Sequence, residues 1–192
     1  MKKNKNKMWK ESLTYLKESR NFIYFAFLLF VLGGLIGFLF PGVFSTYFDE
    51  LIKKLISQTE GLNTIEMIFF IFQNNILSSF LAIILGFALG IFPFGSILVN
   101  GSLLGYVLSK AINEKGIFVI WRLFPHGIFE LPAIFIAVGL GIKLGMFWFV
   151  KGDIKKEFKR RLWGSLKVFL MIILPLLIIA AIIEGTLVSL AS

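Results

Sequence analysis

The sequence predicts an all-α fold, a polytopic transmembrane helical bundle of five spans with an interfacial amphipathic helix and a fourth span broken near Pro125. Composition is the main reason. Of the 192 residues 57% are apolar and only 16% are charged, the mean hydropathy is +0.86, and 23 residues are phenylalanine. Soluble domains are about 45–50% apolar. A chain of this size cannot hide so much apolar surface from water, so lipid is the expected solvent of a single membrane domain.

The chain begins with a basic segment, residues 1–20, and the transmembrane domain is predicted to occupy residues 21–192. The first span, residues 22–40, is longer than a typical signal-peptide core and carries a glycine packing face, so we expect it to be retained. Residues 41–63 then place apolar side chains on one helical face and charged ones on the other. This pattern predicts an amphipathic helix in the membrane interface, or one packed over the loop side of the bundle.

The remaining spans are predicted at residues 65–92, 94–112, 117–142 and 166–190. Pro93 marks a tight connection between the second and third spans, and Pro175 predicts a kink in the fifth. In the fourth, Ile117–Phe124 could alternatively form a short re-entrant helix that breaks at Pro125, with the crossing starting at Gly127. Both versions place the two termini on opposite sides of the membrane.

The distribution of basic residues predicts the orientation. Of 20 Lys and Arg residues, seven lie in residues 1–20 and eight in residues 143–167, two segments that the five-span count places on the same side. The segments on the other side hold only Lys53, Lys54, Lys110 and Lys115. Because basic residues accumulate on the cytoplasmic side, we expect a cell-membrane protein with its N-terminus in the cytoplasm and its C-terminus outside.

The net charge of +9 does not indicate nucleic-acid binding, because both basic clusters flank apolar spans, where they meet anionic lipid headgroups. The lipid bilayer is the expected partner. The chain has no cysteine, which excludes disulfides and thiolate metal sites. It also contains no HExxH, Gly-x-Ser-x-Gly or Walker motif, so no catalytic residue and no cofactor are predicted.

Small residues that recur every fourth position predict close helix packing. Tight packing within one chain is one interpretation, and a homo-oligomer interface is the other. The residues are Gly33 and Gly37, Gly86 and Gly90, Gly101 and Gly105, and Gly141 and Gly145.

Polar residues inside predicted spans mark the candidate site. Arg122, His126 and Glu130 follow one another at intervals of four, so a continuous helix would place them on one face. A charge at the bilayer centre costs at least ~2.5–3.5 kcal/mol, which predicts that this face lies toward protein or water. Judged by depth in the membrane, Asn74 and Asn75 of the second span come near His126. The predicted polar cluster comprises Asn74, Asn75, Asn100, Arg122, His126 and Glu130.

Three interpretations of this cluster remain open. It could be a structural network of hydrogen bonds and ion pairs, or a proton-linked or ligand-binding cavity, since an intramembrane His–Glu pair can carry protons. It could also be a metal site, in which His126 and Glu130 are candidate ligands. Two ligands are too few for zinc by themselves, and the chain has no second histidine.

The same residues carry a resemblance to a known family. Four blocks of sequence resemble the stage II sporulation protein M family, and the resemblance covers about residues 20–190. The most specific block is Leu123-Phe124-Pro125-His126-Gly127-Ile128-Phe129-Glu130-Leu131-Pro132-Ala133. The others are Asn74-Asn75, Gly86-Phe87-Ala88-Leu89-Gly90 and Asn100-Gly101-Ser102-Leu103-Leu104-Gly105. The resemblance implies a five-span membrane protein of bacteria or archaea. In spore formers the named member anchors two peptidoglycan-degrading partners during engulfment, and relatives occur in organisms that form no spores. It implies no catalytic residues.

From residues and resemblance together, the leading prediction is a non-catalytic membrane scaffold for envelope-associated partners. A transporter or channel-like protein with a polar pathway at Arg122, His126 and Glu130 is the first alternative. An intramembrane metal-dependent enzyme is the second.

Overall fold

The computed structural model describes the backbone of residues 2–191 and the side chains of residues 6–118 and 127–188. Throughout this part the chain is helical and forms no strand. The helices are α1 (Lys2–Glu18), α2 (Arg20–Leu39), α3 (Pro41–Thr59), α4 (Thr64–Ile84), α5 (Ile91–Lys115), α6 (Ile120–Gly145), α7 (Ile154–Val168) and α8 (Leu174–Ala191). A π-helical turn, Phe169–Ile173, joins α7 to α8 without a break.

Five helical segments of the described chain are long and apolar enough to cross a bilayer. They are Arg20–Leu39, Thr64–Phe87, Ile91–Lys115, Gly127–Phe149 and Ile154–Val188. Large apolar side chains such as Tyr24, Leu28 and Ile65 remain exposed on these helices, as expected for surfaces that face lipid. The predicted class, an all-α multi-pass membrane bundle, is confirmed.

The connection between the second and third spans lies earlier than the sequence predicts. After α4 and a 3₁₀ turn at Leu85–Phe87, the chain reverses at Leu89 and Gly90, whose φ angles are 57° and 71°. Pro93, expected to mark the turn, instead occupies the first turn of α5, where a missing N–H costs no helical hydrogen bond. Hydropathy could not locate this turn because its residues are themselves apolar.

The fourth helix also differs from the prediction. The backbone is helical from Ile120 to Gly145, so the break expected near Pro125 does not interrupt α6. A 3₁₀ segment at Ile117–Val119 precedes the helix instead. A proline removes one backbone donor, and in a membrane protein the surrounding helices retain the helical path. The fifth span also remains helical at its proline. The π-helical turn Phe169–Ile173 comes just before Pro175, and α8 continues through it.

Helix α6 is the centre of the bundle and packs against α2, α4, α5, α7 and α8. It contributes Ala133, Ala137 and Leu140 to a core shared with α4 and α8. It contributes Val138 and Ile142 to a second core shared with α2 and α5. Of its described polar residues, Lys143 is buried and Glu130 lines a cavity between helices.

The amphipathic helix α3 packs on the bundle mainly through Phe48, which is 2% exposed and lies 5.5 Å from the ring of Tyr106 on α5. Apolar residues on its other faces, including Val43 and Tyr47, remain exposed. Such a helix is suited to the boundary between headgroups and acyl chains.

Candidate functional site

A cavity of about 610 Å³ lies among the membrane spans. Helices α4, α5 and α6 supply most of its lining, and Phe30 of α2, Leu55 of α3 and Glu184 of α8 also line it. Most lining side chains are apolar. The polar ones are Asn75, Ser78, Ser79, Ser96, Asn100, Glu130 and Glu184.

The structure brings together part of the cluster predicted from the sequence. Asn75, Asn100 and Glu130 line the same cavity from three different helices. Asn74 is exposed and is not among the lining residues, because adjacent positions on a helix point about 100° apart. The side chains of Arg122 and His126 lie outside the described residues.

Two carboxylic acids line this cavity. They are Glu130, on α6, and Glu184, on α8, and the amide of Asn75 on α4 lines it as well. None of the ion pairs in the described part of the chain includes either glutamate. Both acids are partly buried, and burial in a membrane-spanning bundle makes an unpaired charge costly.

Glu184 is missing from the cluster that the sequence predicts. The signal was present, since it is the only charged residue of α8. Its approach to Glu130 depends on how α8 packs against α6, which depth in the membrane does not specify.

Two buried oxygen atoms at the cavity have no protein partner. The hydroxyl of Ser79, a residue only 3% exposed, and Oε2 of Glu184 make no hydrogen bond within the described chain. Serine in a helix usually donates to the carbonyl four residues earlier, as Ser12 and Ser19 do here. The Ser79 hydroxyl therefore remains available to the cavity.

Within the described residues, no group of three or more His, Cys, Asp or Glu side chains is arranged to hold a metal ion. The predicted ligand pair, His126 and Glu130, includes one side chain outside the described part. The metal site therefore stays a prediction.

Glycines let the helices around the cavity approach closely. A Cβ atom at Gly33 or Gly37 would collide with the backbone of α5, and one at Gly101 or Gly105 with that of α2. A Cβ atom would likewise collide with backbone at Gly86, which lies against α6, at Gly141, which lies against Ala82 of α4, and at Gly145, which lies against the α4–α5 turn. At Gly90 it would make a tight contact of 3.2 Å with Ile142 of α6. All eight predicted glycines thus face a neighbouring helix of the same chain.

At one end of the bundle, α1 packs against α7 and joins the two basic clusters. Lys143 of α6 is 5% exposed there, and its ammonium donates to Ser19 Oγ at 2.9 Å and lies 3.8 Å from the Tyr15 ring centre. The Arg161 guanidinium donates to the carbonyl of Lys143. Burial raises the pKa of Tyr15, whose hydroxyl donates to the Arg161 carbonyl. These contacts attach α1 to the spans.

A groove of about 580 Å³ runs between α1 and α7. Three lysines line this groove, and none of them takes part in an ion pair of the described residues: Lys10, Lys156 and Lys159. The side chain of Trp163, which is 62% exposed, also lines it. A hydrogen bond from Lys167 lowers the pKa of Glu11 on the opposite wall. This end of the molecule is basic and aromatic, as is typical of a membrane–water boundary.

At the other end, Asp49 fixes α3 to α5. Its carboxylate accepts hydrogen bonds from Lys110 Nζ and Tyr106 Oη, both at 2.7 Å. These bonds lower the pKa of Asp49, with the Lys110 contact as the largest cause.

Fold and cavity together define a polytopic membrane protein with a mostly apolar cavity among its spans, lined by a few polar groups. The sequence model of the stage II sporulation protein M family matches residues 26–189, and the chain belongs to that family. A protein of Methanocaldococcus jannaschii described as uncharacterized is 34% identical over 129 residues, 65% of this chain and 56% of the relative. The chain thus matches little more than half the length of that relative. No solved structure matches this chain.

Proposed function

We propose that this chain is a transport protein whose intramembrane cavity takes up a small polar or cationic solute. The observation that carries the proposal is the cavity of about 610 Å³ with Asn75, Asn100, Glu130 and Glu184 on its wall. Sites for small ligands are typically about 300–1,000 Å³, mostly apolar, with a few convergent polar groups. This wall has the same character.

A purely structural network explains the site less well. A network that serves only to fix helix register should satisfy its own buried donors and acceptors, because each orphan costs about 1–3 kcal/mol. Here Ser79 Oγ and Glu184 Oε2 are buried and without a partner among the described residues. Polar atoms that line a cavity in this state favour contact with a solute or water.

The orientation is part of the proposal. Contacts between α1 and α7, including the ion pairs of Glu18 with Arg160 and of Glu11 with Lys167, place both basic clusters at one end. This arrangement supports a cytoplasmic N-terminus and an external C-terminus, because basic segments remain in the cytoplasm. Reporter fusions at each terminus test it, and activity of a cytoplasm-dependent reporter at the C-terminus would contradict it.

Cysteine labelling tests the cavity directly, since the chain has no native cysteine. Ser78→Cys and Asn100→Cys place thiols on the cavity wall. Leu77→Cys is the matched control on α4, 55% exposed and on the lipid side, and Asn113→Cys is the aqueous control. A thiol reacts as the thiolate, which requires water. We expect a small membrane-impermeant methanethiosulfonate to label both cavity positions and Asn113→Cys, but not Leu77→Cys.

Labelling in sealed vesicles of each orientation then distinguishes transport from binding. Reactivity of Asn100→Cys from both faces is expected of a transporter that exposes its cavity alternately. Reactivity from one face only would refute transport and leave a binding pocket. No labelling of either cavity cysteine, with Asn113→Cys fully labelled, would refute the hydrated cavity.

A scaffold for envelope-associated partners is the second candidate. It is favoured by the basic and aromatic surface of α1 and α7, on which Trp9 and Trp163 are exposed by 46% and 62%. Exposed aromatic residues beside basic ones are common in protein interfaces. We propose for this chain, as the second candidate, the scaffold role that its resemblance to the family implies.

Crosslinking in native membranes tests the scaffold. We expect one partner protein to co-purify at constant stoichiometry and to be lost in Trp9→Ala/Trp163→Ala. Tyr24→Ala, which removes an aromatic side chain 64% exposed on α2, is the matched control and should retain the partner. Recovery of the chain alone at normal expression would exclude this function.

A further inference from the structure

Two glutamates of the cavity are candidate ligands of a cation. Glu130 of α6 and Glu184 of α8 line the same cavity among the membrane spans. A cation bound there is attracted to both carboxyl groups, and this attraction is strong where the dielectric constant is low. Apart from these two acids, no titratable residue lines the cavity in the described chain.

The oxygen atoms around the pair have the chemistry of cation ligands. Asn75 and Ser79 are four residues apart and share one face of α4, and both line the cavity with the glutamates. Two carboxylates, an amide carbonyl and a hydroxyl form an all-oxygen set, which suits hard cations rather than transition metals.

An independent observation indicates a ligand at this position. Ser79 is 3% exposed and lines the cavity, yet its hydroxyl has no partner in the described chain. Thr186, on the opposing α8, donates to the carbonyl four residues earlier in the ordinary way. The Ser79 oxygen is therefore free to accept a contact from a ligand, and Glu184 Oε2 is also buried without a partner.

We propose that Glu130, Glu184, Asn75 and Ser79 form a site for a small hard cation, with Na⁺ as its model. The proposal rests on the proposed function, because the ion must reach the site through a hydrated cavity.

Na⁺ binding to the purified full-length chain in detergent tests the site. Thermal unfolding in NaCl is compared with unfolding in choline chloride of equal concentration, because choline is too large for this ligand set. A ligand that binds only the folded state raises the unfolding temperature as its concentration rises above its Kd. We expect the unfolding temperature to rise in NaCl and not in choline chloride.

Variants localise this signal. Glu184→Gln removes a negative charge and one carboxylate oxygen, and should weaken Na⁺ binding roughly tenfold or more. Ser79→Ala removes the hydroxyl and should weaken Na⁺ binding less. Glu50→Gln, an exposed acid on α3 outside the cavity, is the matched control and should behave as wild type. Ca²⁺ in place of Na⁺ reports the valence that the site prefers.

The outcomes separate this proposal from the proposed function. If the cavity cysteines label but Na⁺ does not stabilise the chain, the cation site is wrong and the cavity stands. An identical Na⁺ response in wild type and Glu184→Gln would also overturn it. If Na⁺ stabilises Arg122→Gln but not the wild type, a positive charge of the chain itself already neutralises the two glutamates, and the proposal is wrong. Absence of cysteine labelling refutes the hydrated cavity itself.

Discussion

The glycine contacts between α2 and α5 allow a prediction with an internal control. A methyl group at Gly105 would overlap the backbone of Gly34 on α2, so Gly105→Ala forces two helices apart. Gly95 lies on the same helix α5, and a Cβ atom there would meet nothing within 4 Å. Both changes are chemically identical and both exchange glycine for a better helix former. They differ only in what the methyl group meets.

Two effects set the expected change in the free energy of unfolding: the overlap of the new methyl group with its neighbours, and the higher helix propensity of alanine. Overpacking of a close-packed site costs about 1–3 kcal/mol, and the upper end applies here because the obstacle is backbone and cannot rotate away. Alanine in place of a helical glycine gains up to about 1 kcal/mol. Gly105→Ala should therefore lose about 2 kcal/mol, which lowers the unfolding temperature of a chain of this size by about 4–8 °C. Gly95→Ala should unfold at or slightly above the wild-type temperature.

The assay is thermal unfolding in one detergent, followed by helical circular dichroism and by size-exclusion recovery after heating. Coincidence of the two measurements checks that a single transition is observed. If Gly105→Ala unfolds with or above Gly95→Ala, the close approach of α2 and α5 is not a stabilising contact, and the inference that glycines close the bundle fails.

Three further predictions concern the helices that attach to the bundle ends. Phe48→Ala should cost about 3–5 kcal/mol of α3 docking and speed proteolysis within α3, because this side chain is 2% exposed. Hydrogen bonds from Lys110 and Tyr106 lower the pKa of Asp49 in the folded chain. The ionised carboxylate therefore stabilises the docking of α3 fully above about pH 4, and this stabilisation is lost as the pH falls through the lower folded-state pKa. Distances between α3 and α5 measured by electron paramagnetic resonance should lengthen only in acid. Tyr15→Ala removes the ring that contacts the buried ammonium of α6 and should release α1 to trypsin.

Controls and contradicting outcomes differ among these three. Tyr47→Ala, at an exposed neighbour of Phe48, should leave α3 protected, and equal proteolysis of both variants would contradict the anchor role. Asp49→Asn should show no acid-dependent lengthening; if it lengthens as wild type does, another group controls α3. Thr14→Ala, at an exposed position on α1, should retain trypsin resistance.

Local sequence accounts for much of the bundle. Helix α4 begins where Asn63 and Glu66 form a reciprocal capping box, a signal contained in four residues. The end of α5 is set by Gly116, whose φ of 77° favours glycine. The α4–α5 turn was misplaced because Leu89 gives no turn signal and takes a positive φ only in the folded chain.

For the site, hydropathy and depth identified Asn75, Asn100 and Glu130 as polar residues inside spans, and all three line one cavity. Depth could not exclude Asn74, because two neighbouring residues share a depth but point in different directions. It also could not pair Glu130 with Glu184, since these belong to helices separated by a long stretch of chain.

The sequence by itself determined the solvent, the number of crossings and the positions of polar groups along each crossing, because a residue's cost in lipid depends on its own chemistry and its depth. Only the tertiary structure decided which polar groups meet. The rotation of each helix about its axis is set by backbone contacts such as that of Gly86 with Gly141. These rotations place Glu184, Glu130 and Ser79 around one cavity, although the three residues come from three different helices.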